Sequence, residues 1–304
     1  MRRSELNDRR GSFAWYELLT TNAAAARAFY SSVVGWQAQD ASTAAFPYSV
    51  FSAGKTEVGG LMELPPDARR MGAEPRWVGY VAVDDIDGTV ERLRRLGGSV
   101  FVPPTDSNIG RVSIVTDPQT ATFGIVSSLK RGVPVERPLP GTVGWHELLA
   151  VDSAKAFAFY SELFDWQPAP RENDRLDSYR LVNTGGLTAV GMFNKLPRVP
   201  MPFWLYYFEV VDIALAVARV REGGGRVVQG PMELLGGSWI ARCIDPQGAM
   251  FSLQGNTSQT GIEPASTREL GWSAEWGGFA SRGKVVAAPS DKSGAHKSGA
   301  KSKR

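Results

Sequence analysis

The sequence predicts an α+β fold of four βαβββ units, two in each of two tandem modules. Trp15-Tyr16-Glu17-Leu18-Leu19, Asn22, Phe29-Tyr30 and Gly35-Trp36-Gln37 return as Trp145-His146-Glu147-Leu148-Leu149, Asp152, Phe159-Tyr160 and Asp165-Trp166-Gln167. The constant shift of 130 residues (145 − 15, 159 − 29, 166 − 36) is the span of a small domain, so the chain is a duplication and not a solenoid. Pro75, Trp77, Gly97-Gly98 and Asp117-Pro118-Gln119 recur as Pro202, Trp204, Gly224-Gly225 and Asp245-Pro246-Gln247 at shifts of 127 to 128 (202 − 75, 245 − 117), a difference that short loop indels supply. Within each repeat the hydrophobic period switches between that of a strand and that of a helix, strand–helix–strands twice over.

In the first unit, residues 12–19 are rich in aromatic and apolar side chains and suit a strand. Asn22, whose twin is Asp152, caps a helix over 23–34 with Ala26, Phe29, Tyr30 and Val33 on one face, and Gly35 suits its C-terminal turn. Residues 47–51 and 58–64 read as the following strands. In the second unit, a strand over 77–83 leads through Asp87 to a helix over 89–96, with Val90, Leu93 and Leu96 inward and Gly97-Gly98 as the stop. Residues 100–103, 112–116 and 122–127 are short strands, the last two joined by the Asp117-Pro118-Gln119 turn. The organisation is then a disordered N-terminus over 1–10, module 1 over 11–130, a proline-rich linker over 131–140, module 2 over 141–256, a C-terminal extension over 257–282, and a disordered basic tail over 283–304. The extension carries Leu270, Trp272, Trp276 and Phe279, enough aromatic surface to dock on the body.

At 304 residues and 43% hydrophobic content, the chain can bury two ordinary cores. It has no apolar run of about 18 residues, so no membrane span is expected. The N-terminus lacks the apolar stretch of a secretory signal, and the one cysteine, Cys243, excludes an internal disulfide, so a cytoplasmic location is expected. The sequence pI of 9.0 comes from the tail. Residues 283–304 carry six Lys/Arg against Asp291, a net of +5, and the whole chain is +3, so the remainder is −2 (3 − 5). The tail is either a solubilising segment or an electrostatic contact for nucleic acid or anionic membrane.

The paired βαβββ units, the Phe-Tyr late in each first helix, the Gly-Trp after it and the Asp-Pro turn near each module's end resemble the vicinal oxygen chelate superfamily. It holds glyoxalase I, bleomycin and fosfomycin resistance proteins, extradiol dioxygenases and methylmalonyl-CoA epimerase. The resemblance covers residues 11–256 and is nearest to tandem two-module glyoxalase-like proteins. It implies two glyoxalase-like modules with cupped mixed sheets that pair within the chain, each site drawing its halves from different modules. Trp15 and Glu17 would then face Tyr207, and Trp145 and Glu147 would face Tyr80.

In the metal-dependent members each cup holds one divalent ion on His, Glu or Gln side chains from four strands. Carried onto this sequence, those positions are Trp15 and Trp145, Val78 and Leu205, Gly124 and Ser252, and Glu63 and Lys195. One carboxylate is not a metal site, so neither metal nor cofactor is expected. The chain has two histidines, and His296 lies in the tail. His146 neighbours Trp145 and so points to the opposite face of its strand, packed between sheet and helix.

Period-two alternation puts Glu17 on the cup face with Trp15, and Glu147 with Trp145; Tyr80 and Tyr207 face them from the neighbouring strand. An indole, a carboxylate and a phenol in each cup suit a flat, partly cationic or hydroxylated small molecule. The alternative is a filled cup with each glutamate paired to an arginine. Three functions follow: a metal-free binding protein using Trp15, Tyr80, Trp145 and Tyr207; a glyoxalase- or isomerase-like enzyme with Glu17 and Glu147 as bases; and a metal-dependent lyase or dioxygenase, which the ligand positions disfavour. No Gly-x-Ser-x-Gly elbow or phosphate loop is present, and Gly223-Gly224-Gly225 reads as a helix cap. Cys243 follows Arg242, which would activate the thiol if both shared one face; a buried strand thiol is the other reading.

Overall fold

A computed structural model describes residues 10–258 except 44–46, 133–138, 170–178, 185–188, 196, 198 and 235–236. Module 1 runs β1 (Phe13–Thr20), α1 (Ala23–Val33), β2 (Gln37–Asp40), β3 (Ser49–Ala53), β4 (Thr56–Glu63), α2 (Pro66–Arg70), β5 (Arg76–Ala82), α3 (Ile86–Arg95), β6 (Ser99–Asp106), β7 (Arg111–Thr116) and β8 (Thr122–Ser127). Module 2 repeats this with β9 (Val143–Ala150), α4 (Ser153–Phe164), β10 (Gln167–Pro168), β11 (Tyr179–Asn183), β12 (Ala189–Asn194), β13 (Phe203–Asp212), α5 (Ile213–Glu222), β14 (Arg226–Glu233), β15 (Trp239–Ile244) and β16 (Met250–Asn256). Each module forms one eight-stranded mixed sheet, in the orders β2-β3-β4-β1-β5-β8-β7-β6 and β10-β11-β12-β9-β13-β16-β15-β14. The opening strands of the two units pair antiparallel at the centre, β1 with β5 and β9 with β13.

The predicted elements differ at their edges. Asp85, not Asp87, caps the second helix of module 1, its carboxylate accepting the Gly88 N–H at 3.0 Å. The edge strand β2 and the single-turn α2 have no expected counterpart, because both are mostly exposed and carry no apolar period. The expected disordered N-terminus up to residue 9, the expected docked extension from residue 259 on, the basic tail, and the 133–138 part of the expected linker lie outside the described residues. No described helix is long and apolar enough to cross a membrane.

The modules pack through their helices. Tyr30 on α1 meets Trp77 of its own sheet at 5.2 Å between ring centres and Phe251 of the other module at 5.3 Å. Tyr160 on α4 likewise meets Trp204 at 5.4 Å and Phe123 of module 1 at 5.3 Å. One apolar core therefore runs through both modules, and two smaller clusters sit on the outer, cup-side faces of the sheets. A register shift between Phe13 and Trp15 lets Phe13 join the shared core while Trp15 turns to the cup.

Candidate functional site

In module 1, Trp15 and Glu17 lie on the cup face of β1, and Tyr80 stands beside them on β5. The Tyr80 hydroxyl donates to Glu17 Oε2 at 2.6 Å, and the Tyr48 hydroxyl donates to Glu17 Oε1 at 2.5 Å. Tyr48 also accepts the Trp15 indole N–H at 3.2 Å. Both phenol rings lie over glycines: a Cβ on Gly60 would overlap Tyr48, and one on Gly124 would overlap Tyr80. Burial pushes the Glu17 carboxyl above its ordinary value, while the hydrogen bonds from Tyr48, Tyr80 and Trp15 pull it back. The segment after β8 closes over this cup. Lys130 N–H donates to Ile109 O at 2.9 Å, Arg131 pairs with Glu57 at 2.7 Å, and Gly132 lies against the Trp15 ring. Trp15 is left 1% exposed and Glu17 5%.

In module 2, Glu147 takes a buried cation beside its phenol. Arg242 Nη2 donates to Glu147 Oε2 at 2.7 Å, its Nε to the Tyr207 hydroxyl at 3.0 Å, and its Nη1 to Gln229 Oε1 at 2.6 Å. Tyr207 donates to the same Glu147 oxygen at 2.5 Å. Burial lowers the proton affinity of Arg242, but Tyr207 and Glu147 together outweigh it and hold the guanidinium firmly charged. Burial drives the Tyr207 phenol up, so it stays protonated and donating. Trp145, Phe193, Phe203, Met232 and Met250 ring this network and are only half-buried.

All six expected site residues thus reach a cup, with one correction: each cup is built by one module. Trp15 and Glu17 meet Tyr80, not Tyr207, and Trp145 and Glu147 share their sheet with Tyr207, not Tyr80. The reason is that β1–β5 and β9–β13 are already paired within the modules, which leaves the helix-bearing faces to join the modules. Sequence reasoning missed Tyr48, Arg242 and Gln229. Tyr48 had a signal, a twin at Tyr179 with the repeat's shift of 131 (179 − 48). Arg242 has no such twin; by register its counterpart is Ile114.

The repeated motif residues bind module to module. The Tyr30 hydroxyl accepts the Trp77 indole N–H at 2.9 Å and donates to Asp245 of the opposite Asp-Pro turn at 3.1 Å. Tyr160 does the same with Trp204 at 3.0 Å and Asp117 at 3.2 Å. The indoles of Trp36 and Trp166 donate to Gly141 O at 2.7 Å and Gly11 O at 2.5 Å. His146 sits away from the cup, stacked on Phe13 at 4.4 Å, with Nε2 2.6 Å from the Tyr16 hydroxyl. It packs against the other module's sheet, through Phe13 and Tyr16. Cys243 faces the shared core, opposite Arg242, and burial raises its thiol, so Arg242 does not activate it.

The donor set does not fit a divalent metal. Glu63 is exposed and its carboxylate accepts the Ala23 N–H at 3.0 Å, while the Lys195 ammonium donates to Val199 O at 2.7 Å. No group of three His, Cys, Asp or Glu side chains converges among the described residues.

The model of the Glyoxalase/Bleomycin resistance protein/Dioxygenase superfamily matches residues 12–124 and 142–253. "Putative glyoxylase CFP32" of Mycobacterium tuberculosis (strain CDC 1551 / Oshkosh) is 32% identical over 249 residues, covering 81% of this chain and 95% of that protein. "Anthracycline biosynthesis protein DauV" of Streptomyces sp. (strain C5) is 29% identical over 260 residues, covering 80% and 92%. Among solved structures, the Mn(II)-bound glyoxalase from Novosphingobium aromaticivorans shares the fold with a TM-score of 0.56 at 15% identity, over 94% of this chain and 97% of that one.

Proposed function

We propose, from the premise that the chain belongs to the Glyoxalase/Bleomycin resistance protein/Dioxygenase superfamily, that it binds a small aromatic, hydroxylated molecule without a metal. One observation carries the reading: at the family's metal positions stand Trp15 and Trp145, Val78 and Leu205, Gly124 and Ser252, and Glu63 and Lys195, of which Glu63 is the one metal-ligating carboxylate and is exposed, while each cup keeps a carboxylate hydrogen-bonded by a phenol. Such a network presents acceptors and donors to a hydroxylated ring, and the aromatic walls supply stacking area. A relative named for anthracycline biosynthesis agrees with a flat, hydroxylated aromatic ligand. The test is calorimetric titration of hydroxylated naphthoquinones and anthraquinones with and without EDTA. Saturable binding indifferent to EDTA is expected; binding that appears only with an added divalent metal refutes the reading.

An enzymatic reading, isomerase- or glyoxalase-like, draws on Glu17, whose raised proton affinity suits a general base, and on the relative named a glyoxylase. Its test is turnover: Glu17→Gln and Glu147→Gln abolish turnover but spare binding if the carboxylates are bases.

A further inference from the structure

Resting on the binding reading, we infer that the ligand cup is the one in module 2, and that its ligand is a planar aromatic carrying a carbonyl beside a hydroxyl, with its ring on Trp145 and its polar edge at Arg242 and Ser252. The twins make the case by contrast. Trp15 is 1% exposed beneath the 130–132 segment, whereas Trp145 is half-buried. In module 2 the Ser258 N–H donates to Asp212 at the α5 cap, at 3.2 Å. The indole of cup 1 is therefore covered, and the indole of cup 2 keeps part of its surface accessible.

The floors differ in the same sense. In cup 1 the Tyr80 ring lies flat on Gly124 and fills the floor with carbon. The twin of Gly124 is Ser252, which pairs with Tyr207 on one side and Arg242 on the other. Its hydroxyl is buried and has no hydrogen-bond partner, an expensive arrangement for a polar group that a ligand or an ordered water removes. A buried cation adds to this. Arg242 attracts a carbonyl or phenolate oxygen, the Ser252 hydroxyl exchanges a hydrogen bond with a ligand hydroxyl, and the half-buried Trp145, Phe203 and Met250 give an apolar bed for the ring.

The experiment uses the full chain and alizarin, a dihydroxyanthraquinone, as probe. Calorimetry and the probe's visible absorbance give stoichiometry and affinity, and the indole N–H resonances of Trp145 and Trp15 locate it. One probe per chain, a shifted Trp145 resonance, a still Trp15 resonance, and at least ten-fold weaker binding to Trp145→Ala are expected. Two probes per chain, or a shift at Trp15 with Trp145 silent, overturns the assignment to module 2 while leaving the binding reading standing. No saturable binding overturns both. If Trp145→Ala does not fold, the resonances of the unmodified chain decide.

Discussion

Glu17 and Glu147 are twins held by different devices, phenol hydrogen bonds for the one and a guanidinium for the other, and each device predicts its own mutational cost. Tyr48→Phe strips Glu17 Oε1 of its donor and the Trp15 indole of its acceptor; leaving buried polar groups unpaired costs about 1–3 kcal/mol, read as a lower urea midpoint. In module 2, Arg242→Met leaves Glu147 charged and buried, for about 3–5 kcal/mol, whereas Arg242→Met with Glu147→Gln recovers much of the loss. A double variant no more stable than the single one refutes the pairing as the source. Glu209 gives a pH signature. Burial alone pushes its carboxyl up to about 7 from an ordinary 4.5. Because the folded value lies above the unfolded one, its contribution is fully present below pH 4.5 and is lost as pH rises through about 7. Glu209→Gln should flatten that fall in a pH series of thermal melts; an unchanged slope refutes it. The candidate site was legible where alternation on a central strand fixes a face, as for Trp15, Glu17 and Tyr80. It was illegible at Arg242, since a lone arginine in the apolar run of β15 does not reveal which carboxylate lies across the sheet.

Element boundaries were readable where a helix or strand buries a full face, as with α1, and unreadable where the element lies at an exposed edge, as with β2. The Phe-Tyr pairs, Trp36 with its twin Trp166, and the Asp-Pro turns recur in both halves, and each ties a helix or turn to the opposite module. Near the pseudo-twofold axis the twins must instead differ. Tyr206 pushes its ring against Gly79, its hydroxyl accepting the Gly79 N–H at 2.7 Å; by register Gly79 and Tyr206 are each other's twins, as Tyr16 and His146 are. Two tyrosines at this place would compete for one space. A Cβ on Gly79 would meet the Tyr206 ring at 2.6 Å and Phe13 at 2.9 Å. Gly79→Ala should therefore destabilise by about 1–3 kcal/mol, the usual range for overpacking, and Tyr206→Leu in the same chain should restore part of it. Two simply additive losses would show that the clash is absorbed elsewhere.

At the scale of the whole molecule, the shared core makes the modules one folding unit. Phe29, Tyr30 and Trp36 of module 1 and Phe208 and Phe251 of module 2 belong to a single buried cluster, so separating the modules would bare aromatic rings that have no other cover. Each module alone would also lose the acceptor of its helix tyrosine, Asp245 for Tyr30 and Asp117 for Tyr160. The linker joins the modules in one chain, which holds each at an effective concentration of order mM for the other. Two outcomes follow. The full chain should unfold in one transition, with calorimetric and van't Hoff enthalpies equal. Residues 10–132 and 139–258 expressed apart should aggregate or self-associate, and co-expressed they should purify as a one-to-one complex. Self-association of module 1 should be the weaker, because a Gly79-to-Gly79 contact leaves unfilled the space that the Tyr206 ring occupies in the native pair. Two resolved melting transitions, or two monomeric and stable half-chains, would show that the shared core is a contact between independent domains and not the structure's single cooperative centre.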